Sequence, residues 1–152
     1  MARILVIEDD PGVGDVIRLV LSRDGHELEV APDGRLGLRA FGASRWDLVI
    51  TDLLMPDMDG IEVVRTLRAF SSGLKILAIS GGGMMDHGDL LHTATRLGAT
   101  AVLPKPFSAR QLSVEVDRLL SSENSLSGEA ANSRNKRSPD SRIGYGLNRD
   151  GC

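Results

Sequence analysis

Carboxylates, a hydroxyl and an ammonium stand at the ends of short apolar runs in this chain. Glu8, Asp9 and Asp10 follow Ile4-Leu5-Val6-Ile7, and Asp52 closes Leu48-Val49-Ile50-Thr51. Ser80 closes Ile76-Leu77-Ala78-Ile79, and Lys105 follows Ala101-Val102-Leu103-Pro104. Apolar runs of this length between turn residues read as buried parallel strands. In an open parallel sheet, ligands bind at the carboxyl ends of the strands. One edge of the sheet would therefore gather acids, a hydroxyl and an ammonium. That set suits a hard cation and a phosphoryl group.

The elements that must position these residues alternate. Strand one is expected at Arg3–Ile7. Pro11-Gly12 reads as a break, after which Val13, Val16, Ile17, Val20 and Leu21 recur at helical spacing. A turn at Asp24-Gly25-His26 leads to a strand at Glu27–Ala31, and Pro32-Asp33-Gly34 opens a helix carrying Leu36, Leu38, Ala40 and Phe41. Leu48–Thr51 is expected as a central strand. The loop from Met55 to Gly60 precedes a third helix marked by Ile61, Val64, Leu67 and Ala69. Leu74–Ile79 is the fourth strand, and Gly81-Gly82-Gly83 after it gives little steric resistance to backbone rotation. A fourth helix over Asp89–Leu97 should stop at Gly98. Ala101–Leu103 is a short fifth strand. Pro104-Lys105-Pro106 forces an extended turn. Ser108 is placed to cap a fifth helix, with Gln111 completing a capping box and Leu112, Val116, Leu119 and Leu120 as its buried face. Five such units imply an α/β fold, with right-handed crossovers and helices on both faces of a doubly wound five-stranded parallel sheet.

Composition narrows the function. At 152 residues the chain has room for one domain and a tail. Aromatics are only 3%, so aliphatic side chains must build the core. A net charge of −3 argues against a dedicated nucleic-acid binder, which should be basic. The lone cysteine, Cys152, cannot form an internal disulfide, which fits a reducing compartment. No apolar stretch approaches membrane-spanning length, so no membrane insertion is expected. After Leu120 the sequence turns rich in Ser, Asn, Gly and Arg. Such a segment buries too little apolar surface to offset its ordering entropy, so residues 121–152 read as a polar, disordered tail to a domain over 1–120.

The order and spacing of Glu8-Asp9, Asp52, Ser80 and Lys105-Pro106-Phe107 resemble the receiver domain of bacterial two-component response regulators. The segment Thr51-Asp52-Leu53-Leu54-Met55-Pro56-Asp57-Met58-Asp59-Gly60 is similar to the family's phosphorylation segment. The resemblance covers residues 1–120 and implies a stand-alone receiver of flavodoxin-like fold, strand order 2-1-3-4-5. It implies that Asp52 accepts a phosphoryl group from a histidine kinase or a histidine phosphotransfer protein. It also implies Mg²⁺, held directly by Asp9 and Asp52, by Glu8 through water, and by the backbone carbonyl of Leu54. Mg²⁺ prefers oxygen ligands and bridges carboxylates to phosphoryl oxygens. Lys105 would pair with Asp52 or the phosphoryl oxygens, and Ser80 would hydrogen-bond them. The protein would not be an enzyme in the usual sense. By the same resemblance it would take part in its own Mg²⁺-dependent phosphotransfer and dephosphorylation, in the cytoplasm. Phosphorylation would change the helix-four and strand-five surface for a downstream protein, with a dimer through that surface as one outcome. The resemblance further implies a cis bond between Lys105 and Pro106. Val102 stands where many receivers carry an aromatic, so a rotating ring there cannot be the switch.

Each residue has a plainer reading when taken alone. Acids favour helix N-termini, an aspartate after a strand is a common turn residue, and most lysines are solvated. Their convergence on one sheet edge is what carries the reading. Two doubly wound enzyme classes fit less well. Gly12-Val13-Gly14 offers part of a dinucleotide fingerprint, but the acids before it would repel a pyrophosphate and Ile17 stands where the third glycine belongs. An aspartate-nucleophile phosphatase needs an acid two residues after the nucleophile, where this chain has Leu54. A degenerate receiver serving only as a scaffold would not keep the acids, Ser80 and Lys105. His87 and His92 lack zinc-site spacing. Trp46 is expected to pack away from Asp52. Arg134, Lys136 and Arg137 read as a solvated linker.

Overall fold

In the computed structural model of the chain, residues 1–55, 60–81 and 87–122 are described. The strands are β1 (Arg3–Ile7), β2 (Glu27–Ala31), β3 (Leu48–Asp52), β4 (Lys75–Ser80) and β5 (Ala101–Pro104). The helices are α1 (Pro11–Arg23), α2 (Gly34–Ala43), α3 (Gly60–Phe70), α4 (His87–Leu97) and α5 over residues 109–122. All neighbouring strands pair in parallel, in the order β2-β1-β3-β4-β5, with β3 in the centre. This is the expected flavodoxin-like (βα)5 arrangement. The composition-based reading of the tail concerns residues that lie, from 123 onward, outside the described ones.

The strands are apolar on both faces because helices cover both. On one side Ile4, Val6, Leu48, Ile50, Leu77, Ile79 and Leu103 pack with Ile17, Val20 and Leu21 of α1 and with Leu112, Val116 and Leu119 of α5. On the other, Leu5, Ile7, Val49, Ile76 and Ala78 pack with Val63, Val64 and Leu67 of α3 and Ala94 of α4. Each fully buried Leu or Ile contributes about 1.5–3 kcal/mol. With few aromatics, the core rests on many such aliphatic residues.

The helix ends follow from local chemistry. Asp10 caps α1 by accepting from the N–H groups of Gly12 and Val13, and Pro11 sits in the first turn, where its missing N–H costs nothing. Pro11-Gly12 is therefore the start of a helix, not a break before one. Asp33 caps α2 in the same way. Ser108 Oγ accepts from Gln111 N while Gln111 Oε1 accepts from Ser108 N, closing the expected capping box. Gly98 ends α4 at a φ of 120°, a conformation that suits glycine.

Three helices sit differently from what apolar spacing alone suggests. On α2 the buried positions are Gly34 and Gly37, with Leu38, Ala40 and Phe41 half-buried against the core, while Leu36 is exposed. A Cβ at Gly37 would stand 2.5 Å from Ile7 Cδ1, so only glycine allows so close an approach. On α1 the apolar stripe is wider than the arc that meets the sheet. Ile17, Val20 and Leu21 are buried, whereas Val16 is 51% exposed. On α3, Val63 is buried and Ala69 is exposed. Trp46 packs against the second core cluster, donates to Ala40 O at 3.1 Å and lies under the Arg3 guanidinium.

Candidate functional site

Parallel pairing sets the ends of β1, β3, β4 and β5 side by side. Ile7 pairs with Thr51, Asp52 with Ile79, and Ser80 with Pro104. Glu8, Asp52, Ser80 and Lys105 consequently converge at the carboxyl edge of the sheet. The carboxylates of Glu8, Asp9 and Asp52 each place an oxygen within 4.8 Å of the others. Glu8, Asp52 and Ser80 are buried, and Asp9 is exposed at the mouth.

Lys105 reaches into this cluster from the turn after β5. Its Nζ lies 2.9 Å from Glu8 Oε1 and 3.1 Å from Asp52 Oδ2. Lys105 N donates to Ser80 O at 2.7 Å, which ties the turn to β4. The Lys105–Pro106 bond is cis. Asp52 Oδ1 accepts from Leu54 N at 3.1 Å, so the carboxylate is held by its own loop as well as by the ammonium. The Leu54 side chain points outward and is 47% exposed. Behind Asp52, Gly60 packs so tightly that an added Cβ would stand 2.0 Å from the Asp52 carbonyl oxygen.

The electrostatics reflect the burial. Burial pushes the Glu8 carboxyl up to about 7. Lys105 and the Asp10 N–H pull it down and Asp52 pushes it up, but loss of solvent dominates. Burial pulls the Lys105 ammonium down, yet Glu8 and Asp52 outweigh it and hold its pKa above the ordinary lysine value. The Glu8–Lys105 contact is an ion pair without hydrogen-bond alignment. Glu8 Oε1 is the buried side-chain oxygen left without a hydrogen bond among the described residues. An all-oxygen donor set that includes such an orphaned oxygen fits a hard divalent cation.

Beside Lys105 a cleft of about 580 Å³ opens between α1 and the β5–α5 turn, lined by Val13, Val16, Pro106 and Phe107 among others. The sequence carried a signal for it in the width of the α1 stripe, since Val16 is exposed and lines this cleft together with the half-buried Val13. His92 is exposed, and the side chain of His87 lies outside the described residues, as do residues 82–86 of the glycine-rich segment.

A family model for the response regulator receiver domain matches residues 4–117. The chain belongs to that family. It is 36% identical over 118 residues to the response regulator MprA of Mycolicibacterium vanbaalenii, covering 78% of this chain and 50% of the relative. It is 31% identical to the transcriptional regulatory protein RprY of Bacteroides fragilis, covering 78% of this chain and 49% of that protein. The chain thus spans about half the length of these curated relatives. A solved response regulator receiver domain protein from Clostridium thermocellum superposes with a TM-score of 0.75 at 30% identity, covering 83% of this chain and 99% of the other. Among the described residues of this receiver, no helix is long and apolar enough to cross a membrane.

Proposed function

We propose that this receiver is a phosphoacceptor switch in which Asp52 takes a phosphoryl group from the phosphohistidine of a kinase or phosphotransfer protein. The observation that carries this reading is the setting of Asp52. It is a buried carboxylate at the end of the central strand, with oxygens of Glu8 and Asp9 within 4.8 Å and the Lys105 ammonium 3.1 Å away, itself bridged to Glu8.

One Asp52 carboxylate oxygen attacks phosphorus, the bond from phosphorus to the donor nitrogen breaks, and the imidazole leaves with its electron pair. The product is an acyl phosphate. Bound Mg²⁺ would supply charge neutralisation between carboxylates and phosphoryl oxygens. Glu8, Asp9, Asp52 and the Leu54 carbonyl would hold it. Lys105 would exchange its contact with Asp52 for the new phosphoryl oxygens, and the Ser80 hydroxyl would donate to another. The cleft of Val13, Val16, Pro106 and Phe107 opens beside Lys105, next to the reacting carboxylate. Movement at Ser80 and Lys105 would alter the α4 and β5 surface for a downstream protein or a second receiver. A cytoplasmic location belongs to this reading, as does a role in hydrolysing the acyl phosphate. The domain is taken as residues 1–120, with residues 121–152 as a polar tail.

The test needs no kinase. Acetyl phosphate or phosphoramidate with Mg²⁺ should add the mass of one phosphoryl group to the full chain, and Asp52→Asn should add none. A modification that persists unchanged in Asp52→Asn would sink the assignment.

A further inference from the structure

Arg68, on α3, spends its whole donor fork on neutral oxygens from two different helix ends. Its Nε and Nη2 donate to Gly98 O at 3.0 and 2.6 Å. Its Nη1 donates to Ser71 O at 3.1 Å and to Ser72 O at 2.7 Å, and Nη2 also reaches Thr100 Oγ1 at 3.5 Å. The last carbonyls of a helix have no partner within the helix, and a cation near them is favourable. Here one guanidinium serves the carbonyls just beyond α3 and the carbonyl just beyond α4.

The seam is fixed from its other sides as well. Thr100 N donates to Ile76 O at 2.8 Å, and Thr100 Oγ1 accepts from Ile76 N at 3.0 Å, so the segment between α4 and β5 is bound to β4. Gly98 N donates to Thr95 O and Ala99 N to Ala94 O, and the Ala94 side chain is fully buried. A Cβ at Gly98 would meet Arg68 Cγ at 2.8 Å, so the helix stop and the arginine are fitted to each other. The other end of α4 follows Ser80 in sequence through Gly81-Gly82-Gly83.

We propose that Arg68 locks the carboxyl-terminal ends of α3 and α4 into one rigid unit, so that α4 answers a movement at Ser80 by tilting about Gly98 and not by sliding along the sheet. The movement at Ser80 rests on the phosphoacceptor reading, whereas the clamp does not.

Two measurements on the full chain separate these parts. The first reads the clamp without ligand. Losing charge-assisted hydrogen bonds in Arg68→Ala should speed amide exchange at Ala99 and Thr100 by roughly tenfold or more. Arg68→Lys should do much the same, since one ammonium cannot reproduce the fork. Unchanged exchange in both variants overturns the clamp, and Arg68→Lys decides the matter if Arg68→Ala does not fold.

The second reads the tilt. In a Cys152→Ser background, spin labels at Arg18→Cys on α1 and at either Asp89→Cys or Arg96→Cys report on the two ends of α4. Addition of beryllofluoride and Mg²⁺ should shift the distance to position 89 and leave that to position 96 unchanged. In Arg68→Ala or Arg68→Lys, position 96 should shift as well. Equal shifts at both positions with Arg68 present, or variants that behave like the parent, overturn the tilt. Bound beryllofluoride is followed by fluorine NMR on the same samples. Its absence would overturn the phosphoacceptor reading and the tilt with it, while amide exchange still judges the clamp.

Discussion

The ammonium of Lys105 lies 2.9 Å from the buried Oε1 of Glu8, a shorter contact than the 3.1 Å it makes to Asp52. Lys105 thus bridges two acids that would otherwise repel one another out of contact with solvent. It stands where a phosphoryl group would need a cation, and its partners are the groups that would hold a metal.

Lys105→Met keeps most of the side-chain length and its flexibility and removes the charge. Glu8 can then take up a proton, and Lys105 is itself 20% exposed, so the loss falls short of that for a fully buried broken pair. We expect about 1–3 kcal/mol of destabilisation without divalent cation. Urea unfolding measures it, and equal midpoints would contradict the bridge. The variant should bind Mg²⁺ at least as tightly as the parent, because a competing cation is gone. Weaker binding would show that the ammonium shapes the acidic cluster.

Gly60 and Gly42 make a paired test of packing. At Gly60 an added Cβ would meet the Asp52 carbonyl oxygen at 2.0 Å and Leu53 Cα at 2.4 Å, and backbone atoms cannot step aside as a side chain can. Gly60→Ala should cost about 2 kcal/mol or more and disturb the seat of Asp52. At Gly42, on α2, nothing lies within 4 Å, so Gly42→Ala should gain about 0.5 kcal/mol from helix propensity. Chemical denaturation of both variants checks the contrast. A Gly60→Ala protein as stable as the parent would mean that the end of β3 is looser than its packing indicates.

The strand pattern and the placement of the acids were legible because buried parallel strands are continuous apolar runs and their carboxyl ends must share an edge. Caps at Ser108 and Gly98 were legible because each depends on a few adjacent residues, whereas the Asp10 cap shows that Pro11-Gly12, read as a break, begins a helix. What sequence could not supply were distances between elements. The approach of Gly37 to Ile7, the exposure of Val16 and the reach of Arg68 to Gly98 depend on how helices settle on the sheet. Spacing within a single helix does not contain that information. The length of Glu8 is a similar case. Its type suggested a cation ligand, but its contact with Lys105 follows from the geometry of β1 against the turn after β5.

Removing residues 123–152 should leave the melting temperature and the uptake of a phosphoryl group unchanged. The apolar clusters on both faces of the sheet draw on residues up to Leu120, and the removed segment is poor in large apolar side chains. Calorimetry of the truncated and full chains decides this. A clear fall in melting temperature on truncation would show that the segment contributes to the packed domain.

Glu8 gives the chain a pH dependence whose sign can be worked out. Its carboxyl is raised from 4.5 to about 7, chiefly by burial. Between those values the folded, metal-free protein holds a proton that the unfolded chain has released. Stability therefore falls as pH rises through that window, and is greatest from this source below it. A cation held in this acidic cluster, with Glu8 acting directly or through water, favours the carboxylate, so Mg²⁺ affinity should run the other way, rising with pH up to about 7 and then levelling, with proton release on binding. Glu8→Gln cannot ionise. It should flatten the Glu8 contribution to metal-free stability between 4.5 and about 7, and it should remove most of the pH dependence of Mg²⁺ binding in the same range. Calorimetric Mg²⁺ titrations in two buffers of different ionisation enthalpy would read the released proton directly. Equal proton release from the parent and from Glu8→Gln would rule out Glu8 as its source.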